Sequence, residues 1–217
     1  SIMLILTYTR IAWIVLFAFF FLLAVIRFRK MLIPLLFAPI LLFFLVAPFQ
    51  ERISDSVRLS PDSSLAWRFG IWSDGISATL RSGSFFVGSG MNTFSEVLEN
   101  IRGLSRGPSN DPHNDFVKFF VEGGIVGLIV LSAYCVIIGK KLFQAMVGSK
   151  SEISRANFLF LLTLFASLLL ASLSDNVFKN TPVQWIFWIT MGAAFKIFAS
   201  PNGIQAKEKP TTLALRE

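Results

Sequence analysis

Five long apolar runs, separated by polar segments of very unequal length, dominate the chain. They cover residues 7–26, 31–49, 116–138, 156–174 and 182–199. Their hydrophobic residues are continuous rather than alternating or amphipathically spaced, which predicts helices apolar on every side. A bilayer core about 30 Å thick takes about 20 residues of helix, so each run is read as one membrane crossing. The predicted class is an all-α integral membrane protein with about five transmembrane helices. Residues 50–114, between the second and third runs, are polar and far too long for a turn. They are expected to form one large loop holding short helices, the part where function sits.

The short connections set the expected sidedness, because Lys and Arg accumulate on the cytoplasmic side. Arg27, Arg29 and Lys30 follow the first run, and Lys140, Lys141, Lys150 and Arg155 follow the third. The tail after the fifth adds Lys207, Lys209 and Arg216. All are assigned to the cytoplasm, which leaves the 50–114 loop and the 175–181 link outside. The loop agrees in its own charge: six Arg and no Lys against seven acids. The expected division is two spans over 1–49, the periplasmic loop over 50–114, three spans over 115–200, and a disordered cytoplasmic tail over 201–217. The opening Ser1-Ile2-Met3-Leu4 lacks the ordered features of a signal peptide, and five spans ending inside would start outside. Both are expected of the C-terminal half of something longer.

Within the loop, residues 63–76 predict a helix capped by Ser63 or Ser64, with Leu65, Phe69, Trp72 and Ile76 on one face. Trp67 and Trp72 favour the headgroup level, and the helix is expected to lie on the membrane surface and carry Arg68. Gly88 and Gly90 predict a tight turn over 85–94. Residues 102–110 are polar, rich in breakers and expected to be mobile.

Composition narrows the chemistry. A chain 54% hydrophobic and 15% charged is no ordinary soluble domain. The net charge of +7 is spread over helix ends, which argues against nucleic acid as a partner. Cys135, the sole cysteine, lies inside an apolar run and excludes a disulfide framework or a Cys-rich zinc site. His113, the sole histidine, stands in Asp111-Pro112-His113-Asn114-Asp115 just ahead of the third run. It reads either as an interfacial helix-start residue or as a proton-transfer group, since its ordinary pKa lies near neutrality. Arg10, at the outer end of the first run, either snorkels to headgroups or binds an anion. Arg68 is either a solvated helix residue or a diphosphate ligand, for which its forked donors are suited. Lys118 and Glu122 are spaced to pair on one helix face. Gly123 and Gly127 have the spacing that lets helices approach closely, so Gly123, Gly124 and Gly127 are read as packing residues. Asp111, His113 and Asp115 are too closely set to favour a metal site.

Taken in order, Thr9-Arg10, Arg68 before Trp72, Phe86-Val87-Gly88-Ser89-Gly90 with Phe94, His113-Asn114-Asp115-Phe116 and Glu122-Gly123-Gly124-Ile125-Val126-Gly127 resemble the C-terminal half of the O-antigen ligase and polymerase family. The likeness covers about residues 7–145. It implies an inverting glycosyltransferase of the bacterial inner membrane whose donor is an undecaprenyl-diphosphate-linked glycan, and whose acceptor is a sugar hydroxyl of the lipid A core or of another lipid-linked repeat. By that likeness Arg10 and Arg68 hold the diphosphate as its charge develops, and His113 deprotonates or orients the acceptor. Asn114, Asp115, Glu122, Gly123 and Gly124 belong to the supporting motifs. Neither a cofactor nor a divalent metal is implied. Ligase is favoured slightly over polymerase. From other classes, a transporter component and a non-catalytic membrane subunit remain as alternatives; a transporter is disfavoured because the charges gather at one boundary rather than at the midplane.

Overall fold

A computed structural model describes residues 10–45, 50, 64–103 and 110–198. The tail expected to be disordered, the centre of the stretch expected to be mobile, and the side chains of Arg10, Ser63 and Ser64 lie outside the described residues. Those described form helices and connections with no strand among them. Helix α1, Arg10–Ile26, leads through a 3-10 turn at Arg29–Met31 into α2, Leu32–Leu45. The loop contributes α3, Ser64–Arg81, and α4, Phe94–Arg102. Then follow α5, Asp115–Gly148, α6, Glu152–Ser172, and α7, Thr181–Phe198.

Helices α5 and α6 are long and apolar enough to cross a membrane, and Ala12–Ile26 within α1 is a shorter apolar helix. The 34 residues of α5 are divided by a break at Gly124, and at 1.5 Å per residue the stretch 125–148 after it measures about 36 Å, enough for a hydrocarbon core about 30 Å thick. Its charge-free stretch is 123–139, between Glu122 and Lys140. That stretch is the part of α5 apolar enough to cross a membrane, with a charged segment ahead of it.

Two cores form for different reasons. Between α5, α6 and α7, Leu131, Cys135, Phe158, Phe165, Phe187 and Met191 are buried against one another; α1 packs on α6, with Phe19 and Phe160 edge to face at 5.4 Å. The loop has its own core, where Ile71 of α3, Phe94 and Leu98 of α4 and Val121 of α5 are buried together. Asp74 and Arg102 tie α3 to α4 at 2.5 Å.

Helix α3 runs five residues past its expected end, and the face it buries is a different one from the apolar face that the spacing marks. Its buried stripe is Ile71, Gly75 and Thr79, whereas Leu65 and Phe69 are exposed. Gly75 is small because the Phe94 ring packs against it, only 3.1 Å from where a Cβ would stand.

Ion pairs and hydrogen bonds sort the connections into two ends. Arg27, after α1, pairs with Glu152, at the start of α6, at 2.8 Å. At the opposite end of α6, the link to α7 bonds to the segment that precedes α5.

Candidate functional site

The segment ahead of α5 is held from two directions. On one side Trp72 of α3 donates its indole N–H to the Pro112 carbonyl at 2.6 Å. On the other, Asn176 and Lys179 of the α6–α7 link donate to the two oxygens of Asp111, Lys179 at 3.1 Å. Asn114 caps α5: its backbone is extended, and Oδ1 accepts from the N–H groups of Phe116 and Val117 at 3.0 and 3.1 Å. Asp115 is 1% exposed and accepts from the Phe178 N–H at 2.9 Å. It lies about two turns ahead of the charge-free stretch of α5. Burial pushes its carboxyl up to about 6, against the opposing pull of the Phe178 and Val177 backbone groups. Asn114 and Asp115 therefore fix the start of α5 and tie it to the α6–α7 link.

His113 sits between these fastened residues with a left-handed backbone, φ 47°, an uncommon conformation for a residue with a Cβ. Its ring remains partly exposed, and Nδ1 lies 3.2 Å from Oδ1 of Asp175. Arg68, reaching from α3, donates from Nη1 to both the hydroxyl and the carbonyl of Ser174, at 2.9 and 3.0 Å. The imidazole and the guanidinium, 45 positions apart in sequence, are thus fastened to adjacent residues of one short link. Both of those Arg68 bonds use one nitrogen of a fork that carries five N–H donors. Arg10 opens α1; with its side chain outside the described residues, the geometry says nothing of its distance from Arg68.

Ser174, Asp175, Asn176 and Lys179 had no role in the sequence reading. The available signal was a polar cluster closing an apolar run on the loop's side of the chain. The expected pair does form: Lys118 Nζ lies 2.5 Å from Glu122 Oε1, with side chains 12% and 4% exposed. The same Glu122 oxygen accepts from the Phe94 N–H at 3.2 Å, satisfying a donor at the start of α4. Among the described residues no group of three His, Cys, Asp or Glu could hold a metal ion.

Of Gly123, Gly124 and Gly127, read as packing residues, two do allow a close approach, though not between separate helices. A Cβ at Gly123 would meet nothing within 4 Å, whereas at Gly127 it would stand 3.0 Å from the Phe119 carbonyl, across the break at Gly124. Gly124 is itself that break inside α5, with φ 64° and ψ −164°, a conformation essentially confined to glycine. A break there frees the N–H groups of Ile125 and Val126 and the carbonyls of Val121 and Glu122. The turn after α3 supplies all four partners. Ile125 and Val126 donate to the carbonyls of Phe85 and Phe86, at 2.8 and 3.3 Å. Ser89 and Gly90 donate to the carbonyls of Val121 and Glu122, both at 2.9 Å. Contact is backbone to backbone: a Cβ on Gly88 would run into the Glu122 carbonyl, and one on Gly124 into the Phe86 carbonyl. The two glycine motifs are thus halves of one clasp.

With this geometry in place, a family model described as O-antigen ligase matches residues 1–132. Neither a curated protein nor a solved structure matches the chain.

Proposed function

The chain belongs to the O-antigen ligase family, and from that premise we propose that it is a membrane glycosyltransferase moving a glycan from undecaprenyl diphosphate to a sugar hydroxyl on the periplasmic side of the inner membrane. The observation that carries this reading is the convergence of Arg68 and His113 on Ser174 and Asp175. Such a transfer needs a cation for the leaving diphosphate and a proton acceptor for the incoming hydroxyl, close together, and these two side chains supply them.

In the proposed reaction the acceptor oxygen bonds to the anomeric carbon of the donor as the bond from that carbon to the diphosphate breaks on the opposite face, inverting it. Arg68 and Arg10 neutralise the charge that collects on the diphosphate. Asp175 accepts from Nδ1–H of His113, which leaves the Nε2 lone pair to take the hydroxyl proton. The Ser174 bonds hold one nitrogen of Arg68 and keep the rest of its fork for phosphate oxygens. Residues 50–114 and 175–181 are periplasmic in this reading, the C-terminus is cytoplasmic, and five spans cross the membrane. The division into spans, loop and tail follows the apolar runs and the two-ended grouping of the connections. The exposed stripe of α3 with Leu65 and Phe69 rests on the lipid surface. The reaction uses no metal or cofactor, the guanidinium groups neutralising the leaving group.

The test is complementation of cells lacking the parent gene with wild type, Arg68→Ala or His113→Ala, at equal membrane abundance, with lipopolysaccharide and lipid-linked glycan resolved on gels. A ligase predicts long glycan stranded on its carrier in both variants. Single repeat units stranded there instead would make it a polymerase, and wild-type patterns from both variants would refute the catalytic roles.

A further inference from the structure

The turn joining α3 to α4 presents Phe86, Val87 and Met91, which are 67%, 73% and 72% exposed. Three large apolar side chains at the tip of a turn are out of place in water. The clasp fixes where that tip lies. The Phe86 carbonyl accepts from Val126, so Phe86 stands beside the first residues of α5 beyond the break. There Val126, Ile129 and Val130 are themselves exposed, and the apolar surface of the tip runs on into the apolar surface of a helix long enough to cross a bilayer.

Irregular backbone enters hydrocarbon only where protein meets its polar groups. The turn satisfies this at the positions that face α5. The carbonyls of Phe85 and Phe86 and the N–H groups of Ser89 and Gly90 bond to α5, and the Gly88 N–H bonds to the Ser84 carbonyl at 2.7 Å. The Ser89 hydroxyl is taken up by Thr93 and the Val121 carbonyl, at 2.7 and 3.0 Å. We propose that residues 84–91 form a membrane-inserted turn, with Phe86 and Val87 immersed in bilayer lipid alongside the start of the spanning part of α5. The inference rests on α5 crossing a membrane, and is independent of which residues perform catalysis.

The test uses the full-length protein in phospholipid vesicles, with Cys135→Ala as background and single cysteines at Phe86, Val87, Ile129 and Asn100 carrying an environment-sensitive fluorophore. Labels at 86 and 87 are expected to be quenched by lipid-borne nitroxide as strongly as the label at 129, and several-fold less than the label at 100 by aqueous iodide. Labels at 86 and 87 quenched by iodide, with 129 in lipid, overturn the proposal. Labels shielded from both quenchers overturn it too, since protein would then cover the tip. If 129 itself proves water-exposed, the membrane reading of α5 fails with it. Should the variants misfold, a photoactivated lipid probe on the unaltered protein decides: adducts on 84–91 are expected, and their absence while 126–130 is labelled refutes insertion.

Discussion

Two adjacent glycines in the Glu122-Gly123-Gly124 motif should respond oppositely to one added methyl group. At Gly124 alanine meets a backbone conformation that costs about 1–3 kcal/mol for a residue with a Cβ, and that Cβ would collide with the Phe86 carbonyl. The turn must then retreat, losing four backbone hydrogen bonds worth about 1 kcal/mol each. The full penalty is about 5–7 kcal/mol, against a total stability of about 5–15 kcal/mol for a typical domain. At Gly123, which is helical and faces open space, alanine should be neutral or stabilising by up to about 1 kcal/mol. The assay is thermal unfolding in detergent, followed by size-exclusion elution of a fluorescent fusion, with membrane abundance as a second readout. Gly88→Ala should resemble Gly124→Ala, because its Cβ would enter the same contact from the other side. Since either change opens the clasp, the double variant should lose much less than the sum of the two. Equal melting of Gly123→Ala and Gly124→Ala, or strict additivity of Gly88→Ala and Gly124→Ala, would refute the clasp.

In the transfer reaction, His113→Ala should lower the rate by about 10²–10⁴-fold, and Asp175→Asn by a smaller factor with membrane abundance unchanged, read as lipid-linked glycan consumed in vesicles. Asp115 has its folded pKa raised to about 6, so folding favours its protonated form. The stability it contributes is fully present below its ordinary pKa of 3.8 and is lost as pH rises through about 6. Melting of the wild type should therefore fall relative to Asp115→Asn between pH 4 and 7, while Asp115→Ala, which loses the acceptor for Phe178, should melt lower than Asp115→Asn throughout. Lys118→Met leaves the buried Glu122 unpaired and should cost about 3–5 kcal/mol, most of it recovered in the Lys118→Met/Glu122→Gln double variant, as measured by the same melting assay.

The apolar runs foretold where the helices lie, because continuous hydrophobicity is a local property of the chain. The Lys118–Glu122 pair was legible for the same reason, four positions being one helical turn. The buried face of α3 was not. Helical spacing marks an apolar face, and hydrophobicity does not say whether that face is the one packed against protein. The side that packs against Phe94 carries one large apolar residue, Ile71, followed by the small Gly75 and Thr79. Gly124 misled in a related way: its spacing from neighbouring glycines is visible in sequence, but the sign of its φ angle is not. His113 and Asp115 stood out as candidates, yet their partnership with 174–179 depends on α5 and α6 packing together to close a separation of about sixty positions. No local pattern encodes such a contact.

The break at Gly124 also bears on the order in which the protein is assembled. Glycine does not forbid an ordinary helix, and α5 alone in lipid would keep its own hydrogen bonds by staying straight. Opening the helix before partners arrive would leave two donors and two acceptors unpaired, so the bent form depends on the docked turn. That turn precedes its partner by about thirty positions, Ser89 contacting Val121 across 32. A ribosome making the chain from its N-terminus has therefore finished the wedge before the helix it opens has emerged. The partners that hold the bend in α5 are thus already made when α5 is.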